Sequence, residues 1–373
     1  MRVVLLKAKL EGTGGLEKST VQIGQAFLQK KSEVTLLTTK AEGSFPFKVH
    51  SFPTPHWPPS FRLEQFDQMV QKWLKAHPAD IVFGMDRNRV QTHLRAGNGV
   101  HASWLQARRL IEGKWKSQLH FLNPLHRKIL NLEKAGFEYP GLQKLFVNSQ
   151  MVKGEVLSYY RVDEKKIKVV HNGVEWAQWQ SPFDRWEEGR KEALQKFGLP
   201  TDCLHLLFIG NGYKRKGLDP LLQALSLWKR KEIHLSVVGK DRDLNSYVAQ
   251  AKKLNIEEKV HFFGPVKEIL PFYQMADLLV LPSFYDPFAN VTVEALAMGL
   301  FVISSKKNGG CEVLNDQNGC IIQDHADPYS ILTCLEKGFL KTKVSAEQIR
   351  EKISFLDYSS QLNHIIDACL PTT

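Results

Sequence analysis

Short apolar runs that stop at glycine, asparagine or serine, separated by stretches of helical periodicity, recur from one end of this chain to the other. No other feature restricts its fold so much. Val3–Leu6 leads into Gly12-Thr13-Gly14-Gly15 and then a helical stretch through Val21, Ile23, Phe27 and Leu28. Val34–Leu37, Asp80–Gly84, Lys144–Ser149 and Lys166–Val170 follow, the last running into His171-Asn172-Gly173. A second block repeats the pattern with Leu204–Ile209, Ile233–Val238, Val260–Phe263, Leu278–Leu281 and Phe301–Ile303. Strand, turn, helix and strand in this order predict an α/β chain in which a parallel sheet with helices on both faces is built twice.

At 373 residues the chain exceeds what one core usually fills, so the two blocks read as two doubly wound, Rossmann-like domains. Residues 1–175 are expected to form the first and residues 176–356 the second. Between them, Glu175–Cys203 reads as a connector whose polar helix opens with a capping box at Asp184 and Glu187 and stops at Gly198-Leu199-Pro200. The formal net charge of +11 implies acidic company: nucleic acid, an anionic membrane or phosphorylated ligands. No RNA- or DNA-binding signature accompanies the charge, so nucleic acid is not expected. No apolar run is long enough to span a bilayer, and Val3–Leu6 is broken off by Lys7 and Lys9, which fits a first strand rather than a signal peptide. A cytoplasmic protein, soluble or peripheral, is expected. Cys203, Cys311, Cys320, Cys334 and Cys369 are odd in number and lack metal-binding spacing, which fits reduced thiols.

Pro282–Leu296 sets a polar loop between a buried strand and an amphipathic helix. At such a junction the free N–H groups of a helix amino end and its dipole favour an anion such as a diphosphate. Phe288, Ala289, Asn290 and Val291 would supply those amides. Glu294, eight residues after Asp286, is expected in the first helical turn, where a carboxylate can accept from ribose hydroxyls. Gly210-Asn211-Gly212-Tyr213-Lys214-Arg215-Lys216-Gly217 also follows a buried strand. Three cations there read either as a solvated turn or as a clamp, with Arg215 forked onto phosphate oxygens and Lys216 adding a point charge. Gly14 and Gly15 allow a close backbone approach to a ligand and equally suit an ordinary tight turn. Glu17 stands where a P-loop needs glycine before Lys18-Ser19, so a nucleotide triphosphatase is not expected.

Asp286 and Glu294 across their loop closely resemble the paired acidic motif of the family-4 retaining glycosyltransferases, with Asp286 in place of the first Glu and Arg215-Lys216-Gly217 matching the family's cationic pair. Asn211 replaces an Arg that many members carry. His101, Asn123–Glu133, Asn148-Ser149 and Val169–Val174 with Asn172 lie in the family's order and look like its core-oligosaccharide glucosyltransferases of lipopolysaccharide synthesis. The resemblance implies a GT-B architecture, with an interdomain cleft that closes over the substrates. The second lobe would hold the nucleotide-sugar through Gly210, Arg215, Lys216, the loop amides and Glu294. The first would take the acceptor under the Gly14-Gly15 loop, and a final helix, about 357–373, would pack back onto it. A UDP-hexose donor, with glucose as the sugar, a glycan or lipid-anchored acceptor, anomeric retention and no metal or cofactor are implied as well. Asp286 would orient the transferred hexose and His101 would face it. A UDP-sugar 2-epimerase, or a silent glycan- or lipid-binding protein of the same fold, are the alternatives.

His101 lies in the glycine-rich run Arg95–Ala102, which is expected to be a loop. Between Arg108 and Lys134 basic residues alternate with Leu110, Trp115, Phe121 and other apolar groups, with Leu105 just before them. That pattern suits a membrane-surface element carrying Arg109, Lys114, Lys116, Arg127 and Lys128, and it equally suits a helix with one solvated face.

Overall fold

A computed structural model of the chain describes residues 1–11, 15–53, 58–113, 123–230, 232–341 and 345–370. The chain divides into two compact units, Met1–His171 with Ser359–Thr373, and Asn172–Tyr358. Unit 1 is built on β1 (Arg2–Leu6), β2 (Lys9–Leu10), β3 (Glu33–Thr38), β4 (Lys40–Ala41), β5 (Lys48–Ser51), β6 (Ile81–Gly84), β7 (His93–Arg95), β8 (Lys144–Val147) and β9 (Ile167–Val169). Seven of these form one sheet in the order β5-β3-β1-β6-β7-β8-β9, and β2 pairs with β4 apart from it. Its neighbours pair in parallel throughout.

The two-residue period of a strand explains how both faces are covered. On one side Val3 and Leu5 of β1, with Leu36 and Phe83, pack against Ile23 and Phe27 of helix Gly15–Gln29. Ile365, Ile366 and Cys369 of the last helix, Tyr358–Cys369, join the same cluster. On the other, Val4, Leu6, Leu37 and Val82 meet Phe66 and Val70 of helix Pro59–Ala76.

Unit 2 carries β10 (Leu204–Ile209), β11 (Ile233–Val238), β12 (Val260–Gly264), β13 (Leu278–Leu281), β14 (Phe301–Ser305) and β15 (Gly319–Ile322) in the order β12-β11-β10-β13-β14-β15. These pairs are parallel too. In both sheets the order reverses at the first strand, around β1 and around β10. Open α/β sheets bind ligands at such a point, beyond the carboxyl ends of the strands. The two stretches of chain at the border of unit 2 run side by side: Val174 N donates to Leu356 O (3.0 Å) and Tyr358 N to Val174 O (2.9 Å).

Three expectations are corrected. Glu175–Cys203 is no loose connector, because helices Trp176–Asp184 and Trp186–Phe197 bury Phe183, Ala193 and Leu194 in the core of unit 2. The capping box is absent: Asp184 ends the first of these helices and accepts from Gln180 Nε2 (2.8 Å), while the next opens at Arg185 without a side-chain cap. The stop at Gly198 does occur, in the left-handed region at φ 64°. Cys320 and Cys334, expected as free thiols, form a disulfide, since β15 and helix Pro328–Phe339 bring their Cα atoms within 5.7 Å.

Candidate functional site

The reversal in unit 2 sets the loops after β10 and β13 next to each other. After Gly210 the chain makes one helical turn, Tyr213–Lys216, bounded by Gly212 (φ 74°) and Gly217 (φ 83°) in a backbone region that favours glycine. A Cβ on Gly217 would collide with the carbonyl of Pro282, so here the two loops meet backbone to backbone. A Cβ on Gly210 would stand 2.9 Å from Lys216 Cε and Cγ, so its absence makes room for the lysine stem.

Lys216, only 7% exposed, puts Nζ 2.6 Å from Asp286 Oδ2. Arg215 Nη1 donates to the same oxygen and to Tyr285 O, both at 3.0 Å, and its Nη2 reaches Asn211 O at 3.3 Å. Burial pushes the Asp286 carboxyl up, but Lys216 and Arg215 outweigh it and hold the group below the usual carboxylate range. Asp286 is therefore ionised at neutral pH. Two cations face one carboxylate, so the cluster keeps an excess of positive charge at the carboxyl edge of the sheet.

The loop is pinned by a residue the sequence did not single out. Asn308, fully buried after β14, accepts from Ala289 N (3.0 Å) and Gly310 N (3.1 Å) through Oδ1, and donates through Nδ2 to Ser304 Oγ (2.9 Å) and Thr292 Oγ1 (3.3 Å). Asp286 N donates to Lys307 O and Gly309 N to Asp286 O, each at 2.9 Å. The Ala289 amide, expected to meet a diphosphate, is thus already used inside the loop. Phe288 and Ala289 are buried ahead of helix Asn290–Ala297, whose first turn Asn290 and Val291 open. Glu294 is the fifth residue of that helix rather than part of its first turn, since the helix already starts at Asn290; its Oε2 accepts from the buried Tyr273 hydroxyl at 2.6 Å. Asn172 donates to Phe288 O (3.3 Å) and Asn290 Oδ1 (2.7 Å), which ties the start of unit 2 to this loop.

In unit 1, β7 takes in Arg95 and His101 opens helix His101–Glu112, so the loop between them is shorter than expected. The His101 N–H is shared by both oxygens of Glu133, at 2.9 and 3.0 Å. Glu133 is 1% exposed and also accepts from Arg87 Nε and the Tyr160 hydroxyl, both at 2.6 Å. His101 Nε2 lies 3.1 Å from His126 Nδ1. Burial, and then the charges of Arg87, His126 and Arg108, push the imidazole down to about 3, so at neutral pH it is an uncharged hydrogen-bonding group. Gly15 begins its helix, and Gly14 lies outside the described residues.

Two family profiles match the chain: "Glycosyltransferase Family 4" over residues 13–177 and "Glycosyl transferases group 1" over residues 189–366. This chain is a family-4 glycosyltransferase. Lipopolysaccharide glucosyltransferase WaaG of Escherichia coli K12 is 26% identical over 327 residues, 85% of this chain and 83% of its own. A D-inositol 3-phosphate glycosyltransferase of Streptomyces scabiei is 25% identical over 84% of this chain and 76% of its own. The crystal structure of WaaG, a glycosyltransferase involved in lipopolysaccharide biosynthesis, superimposes with a TM-score of 0.80 at 23% identity, covering 99% of this chain and all of that one. The Anabaena protein HepE, solved in complex with UDP-glucose, matches with a TM-score of 0.66 at 19% identity over 98% of both chains. The fold is GT-B, two Rossmann-like units in one chain.

Within this family-4 enzyme the sequence points to the cationic turn and the acidic loop of unit 2, which the fold brings into contact. It misses Asn308, Glu133 and His126. A signal for Asn308 exists in Asn308-Gly309-Gly310, two lysines after a buried run, since a polar residue there can cap the neighbouring loop. Of the basic segment, Lys114, Trp115 and Lys116 lie outside the described residues. Arg109 and Arg127 are exposed and Leu110 is 70% exposed, while Lys128 is held by Glu64 at 2.8 Å. Among the described residues no helix is long and apolar enough to cross a membrane.

Proposed function

We propose that this family-4 enzyme transfers glucose from UDP-glucose, with retention of configuration, to a glycan or lipid-anchored acceptor of the lipopolysaccharide-core kind. Unit 2 takes the nucleotide-sugar and unit 1 the acceptor. The observation that carries this reading is the Arg215–Lys216–Asp286 cluster at the strand reversal of unit 2, with Lys216 and Asp286 buried. Its surplus positive charge suits a diphosphate whose negative charge grows as the sugar departs, so the two cations do the neutralising with no metal ion. Asp286 holds both cations in place, and its Oδ1, which makes no hydrogen bond among the described residues, is left to accept from a sugar hydroxyl. Glu294, oriented by Tyr273, holds the ribose. His101, neutral and fixed by Glu133, hydrogen-bonds the transferred hexose without adding charge. WaaG is by name a lipopolysaccharide glucosyltransferase and HepE was solved with UDP-glucose, which supports this donor and acceptor class.

The test is a panel of UDP-sugars with the purified protein, reading UDP release and product formation, together with calorimetry on Glu294→Gln. That variant is expected to bind UDP weaker by ~1.5 to 3 kcal/mol, the worth of hydrogen bonds to a carboxylate. Unaltered affinity removes Glu294 from the ribose site, and failure to turn over any UDP-sugar sinks the donor assignment.

A lipid-anchored acceptor makes peripheral docking on an anionic membrane part of the same reading, with Arg109, Arg127 and exposed Leu110 as the described part of the surface. Each basic residue near an anionic leaflet contributes about 1 kcal/mol, and salt screens it. Sedimentation with anionic vesicles is expected to fall as salt rises and to be absent with neutral vesicles. Indifference to anionic vesicles at low salt returns the segment to a solvated helix face.

A further inference from the structure

Each sheet carries a lysine–aspartate ion pair at the point where its strand order reverses. In unit 2 it is Lys216 with Asp286. In unit 1 it is Lys7, the residue after β1, with Asp86, which follows β6: Nζ lies 3.0 Å from Oδ1, and Oδ2 accepts from Ala8 N at 2.8 Å. The Lys7 side chain is 8% exposed and that of Asp86 24%, so the carboxylate is the more accessible partner. An ammonium offers three donors, and Nζ uses one of them among the described residues. A buried ion pair contributes little to stability once the loss of water from both charges is counted. The pair stands at the edge where open α/β sheets bind their ligands. Further along the same carboxyl edge, after β8, Asn148 is 2% exposed, with Nδ2 on Gly97 O and Oδ1 without a partner.

We propose that Lys7 and Asp86 are the acceptor-positioning pair of unit 1. Asp86 accepts hydrogen bonds from neighbouring hydroxyls of the acceptor sugar, and Lys7 holds the carboxylate in place. A phosphate seated here would meet the Asp86 carboxylate, so the part of the acceptor held at this point is an uncharged sugar face. This inference rests on unit 1 being the acceptor lobe. It adds to the proposed function the residues that choose the acceptor.

Asp86→Asn keeps size and shape, Lys7→Met removes the ammonium, and Lys7→Arg restores a cation. The probes are UDP-glucose as donor, methyl α-glycosides of glucose, galactose, mannose and a heptose as acceptors, and UDP alone in calorimetry. Loss of a charge-assisted hydrogen bond predicts an acceptor KM raised about tenfold to a hundredfold in Asp86→Asn and Lys7→Met. Lys7→Arg is expected to recover part of the loss, and UDP affinity is expected to match that of the wild type. Should Lys7→Met fail to fold, the isosteric Asp86→Asn carries the test. An unchanged acceptor KM in Asp86→Asn, or a wild type that hydrolyses UDP-glucose yet transfers to none of the glycosides, overturns the proposal. A wild type that neither binds UDP nor turns over UDP-glucose counts against the functional reading itself.

Discussion

Replacing Lys216 by Ala is expected to lower turnover about 100- to 1000-fold, the range seen when one preorganised donor is taken from a developing oxyanion. The physical reason is timing. Charge on the leaving diphosphate is largest in the transition state, so a fixed ammonium acts there more than on the bound donor. Binding of UDP should weaken less than turnover falls, and binding of uridine alone should hold. Arg215→Ala is expected to act in the same direction. The two differ in stability, because Lys216 is nearly buried and Arg215 is not. Removing Lys216 leaves Asp286 with one cation in a buried setting, where breaking an ion pair costs about 3 to 5 kcal/mol. Thermal melts of Lys216→Ala, Asp286→Asn and the double variant separate this from chemistry: the double variant should regain stability and remain inactive. Full turnover in Lys216→Ala would take the cation out of the mechanism.

The same cluster shows where sequence reading reaches and where it stops. Arg215, Lys216 and Asp286 are legible because each lies a few residues past a fully buried, mostly apolar strand, and in an open α/β sheet the carboxyl ends of strands converge. The strands themselves are legible for the same reason: β10, β11 and β13 begin and end where their apolar runs do. β5 and β7 escape detection because composition does not mark them. β5 is an edge strand exposed along its whole length, and β7 holds His93 and Arg95 in three residues. The helices at the two sites also start earlier than expected. Helix Asn290–Ala297 starts directly after Ala289, whose amide Asn308 accepts, a contact between residues 19 apart that no local pattern encodes. Helix His101–Glu112 starts where the Glu133 carboxylate meets the His101 N–H, 32 residues away. In both cases a distant side chain satisfies the amide that a nearby cap would otherwise serve.

Glu133 is accordingly the residue whose loss should damage unit 1 most. Its carboxylate, 1% exposed, gathers the His101 amide, the Arg87 guanidinium and the Tyr160 hydroxyl. Glu133→Ala strands an amide and a phenol away from water and leaves the partly buried Arg87 without its carboxylate. Breaking such a buried pair from one side costs about 3 to 5 kcal/mol, a large share of the total stability of a domain. Glu133→Gln keeps the shape and one acceptor oxygen, so it should cost less. It should still reduce transfer, because Arg87 loses its charged partner and His101 loses half of its shared bond. Amide hydrogen exchange reads the two effects region by region. Protection is expected to fall through helix His101–Glu112 and the neighbouring helix Pro124–Phe137, while the strands of unit 2 keep theirs. Equal loss of protection in both units would mean that Glu133 supports the whole chain rather than the wall of one site. Unaltered protection in Glu133→Ala would mean that the buried carboxylate is dispensable, and with it the account of how the start of helix His101–Glu112 is held in place.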